Sequence, residues 1–194
     1  MMKRIILLAA AFIIVTTVAC QNDESTNESQ ALPVNHFETD FAIDHDDPYE
    51  LVGFSDHYVA AEVIEEVRTD YRHSSANDPE GIPYTLYRIQ VIENIKGTLP
   101  EDEEIEIFKS GGITEDNESL LLYNGDSLPV AGRTYVMVAA VQQDGSLLLS
   151  GPNTNVLLEG DASSSEALAD AGSLGSFQEH LENQVPYERE RWDY

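Results

Sequence analysis

"RTYVMVAAVQQDGSLLLSG", residues 133–151, holds the strongest local fold signal in the chain. An Asp144-Gly145 pair stands between two apolar runs. Tight hairpin turns need positive φ at their central positions, and Asp-Gly supplies it at little steric cost. The stretch therefore predicts antiparallel strands over Thr134–Val141 and over 146–149. Working toward the N-terminus, "EIEIFKS" (Glu104–Ser110) alternates acid and apolar residues, with Ile105, Ile107 and Lys109 on one face. Gly111 and Gly112 end that strand, since glycine tolerates the positive φ of a sharp exit.

"YTLYRIQVIENI" (84–95) predicts another strand, with Ile89 and Val91 buried and a Lys96-Gly97 turn after it. In "YVAAEVIEEVR" (58–68), Val59, Ala61, Val63, Glu65 and Val67 share the face expected to point inward, and Tyr58, Ala60, Glu62, Ile64 and Glu66 share the other. Residues 69–83 and 113–127 read as turn-rich loops, the second holding a short apolar "LLLY", and "NVLLE" (155–159) reads as a last short strand. Asp47 and Pro48 suit the N-cap and first position of a short helix. Past Gly160, Ala167, Leu168, Leu174, Phe177 and Leu181 are spaced as a weak amphipathic helix interrupted by Gly172 and Gly175. Short strands without strand-helix alternation predict an all-β, mainly antiparallel barrel or sandwich with short flanking helices.

The N-terminus gives an address. Lys3 and Arg4 precede an unbroken apolar run from Ile5 to Val15, the n-region and h-region of a secretory signal. The run is short of the roughly 20 residues that a spanning helix needs. Thr17, Val18, Ala19 and Cys20 then resemble the lipobox of bacterial lipoproteins, although the commonest pattern has leucine where Thr17 stands. The resemblance implies cleavage after Ala19 and a diacylglyceryl group on Cys20, so that the membrane is the first partner. Two acyl chains, at about 0.8 kcal/mol per buried methylene, hold a protein on a bilayer stably. A reactive thiol would need a cation or base beside it, whereas Gln21, Asn22, Asp23 and Glu24 follow. With one cysteine, no intramolecular disulfide forms. The expected organisation is a signal peptide (1–19), a lipidated N-terminus and polar tether (20–36), a β-domain (37–160), and a helical segment with its tail (161–194).

All 36 acidic residues follow Cys20, and of the 10 basic ones only Lys3 and Arg4 precede it, so the chain from Cys20 onward carries a formal charge of 8 minus 36, or −28. Such a field repels phosphate backbones and anionic membrane surfaces, which argues against nucleic acid as a partner. A carboxylate-rich surface adapted to a salty or alkaline medium explains the acidity. A cation-binding surface is the alternative.

"ELVGFSDHYVAAEV", "YRIQVIENIKG", Gly111-Gly112 and "AGRTYVMVAAVQQDG" together resemble a group of bacterial extracytoplasmic domains with that order of helix, Ser-Asp, valine-rich strand, Lys-Gly turn, Gly-Gly and Gly-x-x-Tyr. Over residues 48–159 the layout is similar to the OB-like barrel of netrin and metalloproteinase-inhibitor domains. That resemblance implies a small OB-like barrel used for binding. No inhibitory residues carry over, because those inhibitors set a free N-terminal cysteine amine and its disulfide on a catalytic zinc, and this chain has no second cysteine.

Ser55-Asp56-His57 contains the residue types of a hydrolase triad, but a triad is a spatial relay and adjacent residues in a strand or turn do not form one. Asp44, Asp46 and Asp47, beside His45 and downstream of Glu38 and Asp40, form the densest oxygen cluster. Calcium takes about six to eight oxygens, so a weak calcium site is the one cofactor expectation, against a plain solvated acidic segment. Tyr58, Tyr84 and Tyr87, with Tyr71 nearby, are candidates for a recognition surface, because tyrosine adds apolar area with a polar tip; β-propensity explains them equally. "YERERWDY" at the end reads as a docking tail or a packed terminus. The expected function is a lipid-anchored envelope module that binds a protein or envelope partner without catalysis. The alternatives are an envelope hydrolase with a dispersed site and a cation-sensing surface protein.

Overall fold

The structure is a computed structural model that describes residues 31–37, 39–75, 80–101, 103–160, 163–170 and 173–194. The signal segment, Cys20, Glu38 and Gly172 lie outside these residues. In chain order the elements are β1 (Val34–Phe37), α1 (Pro48–Phe54), β2 (His57–Arg72), β3 (Ile82–Lys96), β4 (Glu104–Ser110), β5 (Gly112–Ile113), β6 (Leu120–Tyr123), β7 (Thr134–Val141), β8 (Leu147–Leu149), β9 (Asn155–Leu157), α2 (Ser165–Asp170) and α3 (Ser173–Glu182). All lie in the unit Leu32–Tyr194.

The expected hairpin forms. Gly145 has φ 84°, and Asp144 Oδ1 accepts from the Ser146 N–H at 3.0 Å and the Ser146 hydroxyl at 2.7 Å. From it a ring closes: β2, β3, β4, β8 and β7 are successive neighbours, and β7 pairs back onto β2. Only β4 and β8 run parallel within the ring. This is the connectivity of a small OB-like barrel. Inside lie Val59, Ala61 and Val63 of β2, Tyr87, Ile89 and Val91 of β3, Ile105 and Ile107 of β4, and Tyr135, Met137, Ala139 and Val141 of β7. The inward faces of β3 and β4, and of β2 as far as Val63, are thus the ones that alternation predicted; register shifts after Val63 break the β2 pattern, leaving Glu65 exposed against Arg88 and Val67 only partly buried.

The opposite face is buried too where β2 and β7 run side by side. Tyr58, Val136 and Val138 pack under Leu51 and Val52 of α1 and Phe177 of α3. Full burial of each aliphatic or aromatic anchor contributes about 1.5–3 kcal/mol. Asp47 caps α1 as expected, its Oδ1 accepting from Tyr49 N–H at 2.8 Å and Glu50 N–H at 3.4 Å. The C-terminal region forms two helices, and Gly175 lies within α3 rather than breaking it.

Three boundaries differ from expectation. Residues 34–36, assigned to the tether, join Phe37 in β1, which pairs in parallel with β6 at Val34↔Leu120. The segment 113–127, read as a loop, supplies Ile113 to β5 and the apolar "LLLY" as β6. Residues 69–72 and 82–83 extend β2 and β3 into a long arm rather than belonging to the loop. A two- to four-residue strand with a distant partner carries no periodic signal of its own.

After α3 the chain doubles back across α1. The Val185 N–H donates to Tyr49 O at 3.0 Å, and a Cβ on Gly53 would lie 1.7 Å from Val185 O. Gly53→Ala therefore displaces the C-terminal segment. The expected cost is about 1–3 kcal/mol in denaturant unfolding, with new trypsin cleavage after Arg189 in the native state. Unchanged unfolding and an unchanged digestion pattern would contradict this close approach.

Candidate functional site

The end of α1 gathers a dense set of polar contacts. Ser55 closes the helix, its N–H donating to Leu51 O at 3.1 Å and its hydroxyl to Val52 O at 2.9 Å. Asp56 Oδ2 accepts from Val141 N–H at 2.8 Å and from Arg189, while Oδ1 accepts from Arg191 at 2.6 Å. The same guanidiniums donate to the helix-end carbonyls, Arg189 to Phe54 O at 2.9 Å and Arg191 to Ser55 O at 2.9 Å and Gly53 O at 3.0 Å. Two cations at a helix C-terminus also oppose its dipole. Burial alone would raise the Asp56 pKa, yet the Val141 N–H, Arg191 and Arg189 outweigh it and hold the carboxyl below its ordinary value.

This arrangement is a clasp for the tail, not a relay. The Asp56 carboxylate is spent on Val141 and the arginines, Ser55 Oγ on a backbone carbonyl, and the buried His57 Nδ1 has no partner. Burial lowers the His57 pKa, with Asp56 opposing and Lys96 adding to the fall. Lys96 Nζ donates to Val52 O at 2.5 Å and Gln184 Oε1 at 2.9 Å, and burial first, then Arg191, brings its pKa down to about 8.

Beside the clasp runs a cleft of about 460 Å³ between the segment before α1, the outer faces of β7 and β8, and the tail. Ile43, Leu51, Val138 and Leu148 are among its apolar walls, and His45, Glu190 and Trp192 line it as well. Val138 and Leu148 face it because their neighbours Met137, Leu147 and Leu149 are turned into the barrel.

At another edge of the fold a lysine and an aspartate are sealed from solvent. Lys109 continues the inward row of Ile105 and Ile107, and its Nζ lies 2.7 Å from Asp126 Oδ1, with side-chain exposures of 0% and 1%. Nζ also donates to Gly151 O at 2.7 Å and Thr154 Oγ1 at 3.0 Å. Burial brings the Lys109 pKa down to about 8 against the pull of Asp126, and burial likewise raises that of Asp126 against Lys109.

The tyrosine candidates do not form one surface. Tyr87 is 1% exposed inside the barrel, and Tyr58, 3% exposed, lies beneath α3 with its hydroxyl 3.2 Å from His180 Nδ1. Alternation puts Tyr87 on the same side as Ile89, and the helices cover the side of β2 that carries Tyr58. Tyr84 is partly exposed, with the Arg72 guanidinium 4.2 Å from its ring centroid, and so is the neighbouring Tyr71, whose hydroxyl donates to Ile113 O at 3.2 Å. Of the acidic candidates, Asp44 Oδ1 accepts from Asp46 N–H at 2.9 Å, Asp46 Oδ1 from Asn153 at 3.0 Å, and Asp47 caps α1. Among the described residues no group of three His, Cys, Asp or Glu is placed to hold a metal ion. Sequence reasoning missed Arg189 and Arg191, though their i, i+2 spacing in an extended tail was a signal that both point one way.

No protein-family model and no curated protein matches the chain. Among the described residues no helix is long and apolar enough to cross a membrane.

Proposed function

We propose that the protein is a lipid-anchored, extracytoplasmic binding module of the bacterial cell envelope, acting without catalysis of its own. The observation that carries the binding reading is the cleft of about 460 Å³ beside the tail. Its size is in the range of small-ligand sites, about 300–1,000 Å³, which are mostly apolar with a few polar groups at the edge. The lipobox-like residues Thr17 to Cys20 support the anchor. The occupant on this reading is a short apolar segment of an envelope protein flanked by positive charge. A formal −28 from Cys20 onward and the exposed Glu190 beside the cleft favour cations and disfavour anions.

Trp192, the single tryptophan, lines the cleft and serves as reporter. Titration with short Leu/Phe peptides flanked by lysine should shift its emission saturably, glutamate-flanked peptides should not, and Leu148→Asp should abolish the response. Equal silence toward both peptides, or an unaltered response in Leu148→Asp, would rule out this cleft as the binding site. The anchor has its own test: Cys20→Ala should leave an uncleaved precursor. Normal processing of that variant would sink the lipoprotein reading.

A further inference from the structure

We propose that Lys109 and Asp126 condense into a side-chain amide, an intramolecular isopeptide bond that ties the end of β4 to the turn after β6. Nζ and Oδ1 stand 2.7 Å apart, and both side chains are sealed from water at 0% and 1% exposure. Each is therefore presented to the other with solvent excluded.

Hydrogen-bond accounting singles out the product. In the unlinked pair, Asp126 Oδ1 accepts from Lys109 at 2.7 Å and from the Ser127 N–H at 2.8 Å, while Oδ2 is buried with no hydrogen-bond partner. An orphaned buried carboxylate oxygen is costly. Condensation removes that oxygen. Oδ1 remains as the amide carbonyl oxygen, and the one hydrogen left on Nζ can donate to Gly151 O, now 2.7 Å away. Thr154 keeps its own donation to Gly151 O at 2.7 Å. Every polar atom of the linked pair then has a partner.

The chemistry balances without a co-reactant. The Nζ lone pair attacks Cγ, the Cγ–Oδ2 bond breaks, and the two protons shed by the ammonium nitrogen leave with Oδ2 as water. The pair is neutral before and after, and nothing is oxidised or reduced. Burial favours the reactive forms, since it moves the lysine toward free amine and the aspartate toward neutral acid. Proximity in a fixed geometry replaces the activation that free solutes would need. Gly151 O and Thr154 Oγ1 hold the nitrogen in place.

Peptide mapping of the purified, denatured wild-type chain with trypsin and a glutamate-specific protease decides the matter. Expected is resistance to trypsin after Lys109, and one branched species joining the Lys109 and Asp126 peptides that weighs one water less than their sum. Asp126→Ala should restore cleavage after Lys109. Recovery of Lys109 and Asp126 in ordinary linear peptides would overturn the proposal. So would loss of water confined to an aspartate, such as succinimide at Asp144-Gly145, with trypsin still cutting after Lys109. The wild-type digest answers the question even where the variant does not fold.

Discussion

Asp126→Ala lowers the unfolding free energy by at least about 3–5 kcal/mol, the usual cost of leaving one partner of a buried ion pair alone. The variant holds an unpaired Lys109 at a site where the native side chain is 0% exposed, whether the wild type carries the ion pair or the amide. Gly151 O and Thr154 Oγ1 still accept from its nitrogen but supply no countercharge. Lys109→Met with Asp126→Leu removes both charges and recovers the part of the loss that the unpaired charge causes, because an apolar replacement of a buried pair is often near neutral. The pH dependence has a definite sign. The Lys109 pKa is lowered from 10.5 to about 8, so its destabilising effect is full below the folded value and is relieved as pH rises between the two. Without Asp126, the attraction that opposes this lowering is gone, so relief in the variant begins at a lower pH. Urea unfolding at pH 7 and pH 9 measures it. A deficit under 1 kcal/mol, or one that grows toward pH 9, would contradict the buried-charge account.

Lys109 also shows what a sequence makes legible. Its inward direction follows from alternation, because 105, 107 and 109 share a face whatever else the chain does. Its partner does not follow, since Asp126 after Asn124-Gly125 looks like any other turn residue. The barrel strands were readable for the same local reason. β1, β5 and β6 were not, because each is only two to four residues long, too short for a periodic signal, and β1 finds β6 through a pairing, Val34↔Leu120, that is far apart in the chain. Tyr58 and Tyr87 illustrate a different limit. A tyrosine on a strand suits an exposed or a covered face equally, and whether helices cover the outer face of β2 is decided by α1 and α3, not by β2. In β7 the apolar run "YVMVAAV" fits a strand packed on both sides. In the structure Met137 lies in the barrel and Val138 beneath the helices.

Asp56→Ala, the second large effect, releases the C-terminal tail and costs about 2–4 kcal/mol. Hydrogen bonds to a charged group are each worth about 1.5–3 kcal/mol. Three donors lose their acceptor at once, namely the Val141 N–H, Arg189 and Arg191, although Arg191 is 39% exposed and solvent recovers part of its share. The folded Asp56 pKa lies below 3.8, because the Val141 N–H, Arg191 and Arg189 outweigh the burial that would raise it. A depressed carboxyl pKa contributes stability that is fully present above the unfolded value and is lost as pH falls through the folded one. The gap between wild type and Asp56→Asn should therefore be constant from pH 7 down to about pH 5 and shrink below about pH 4. Other carboxylates titrate in the same range, and subtracting the variant removes their common contribution. Trp192 packs against the barrel interior, so release of the tail should shift its emission to longer wavelength in Asp56→Ala at neutral pH and in the wild type only on acidification. A gap that stays constant from pH 7 to pH 3 would mean that the arginines do not depend on the Asp56 charge, and the tail would then be held by their bonds to the helix-end carbonyls, by the Val185 N–H bond to Tyr49 O and by Trp192 packing.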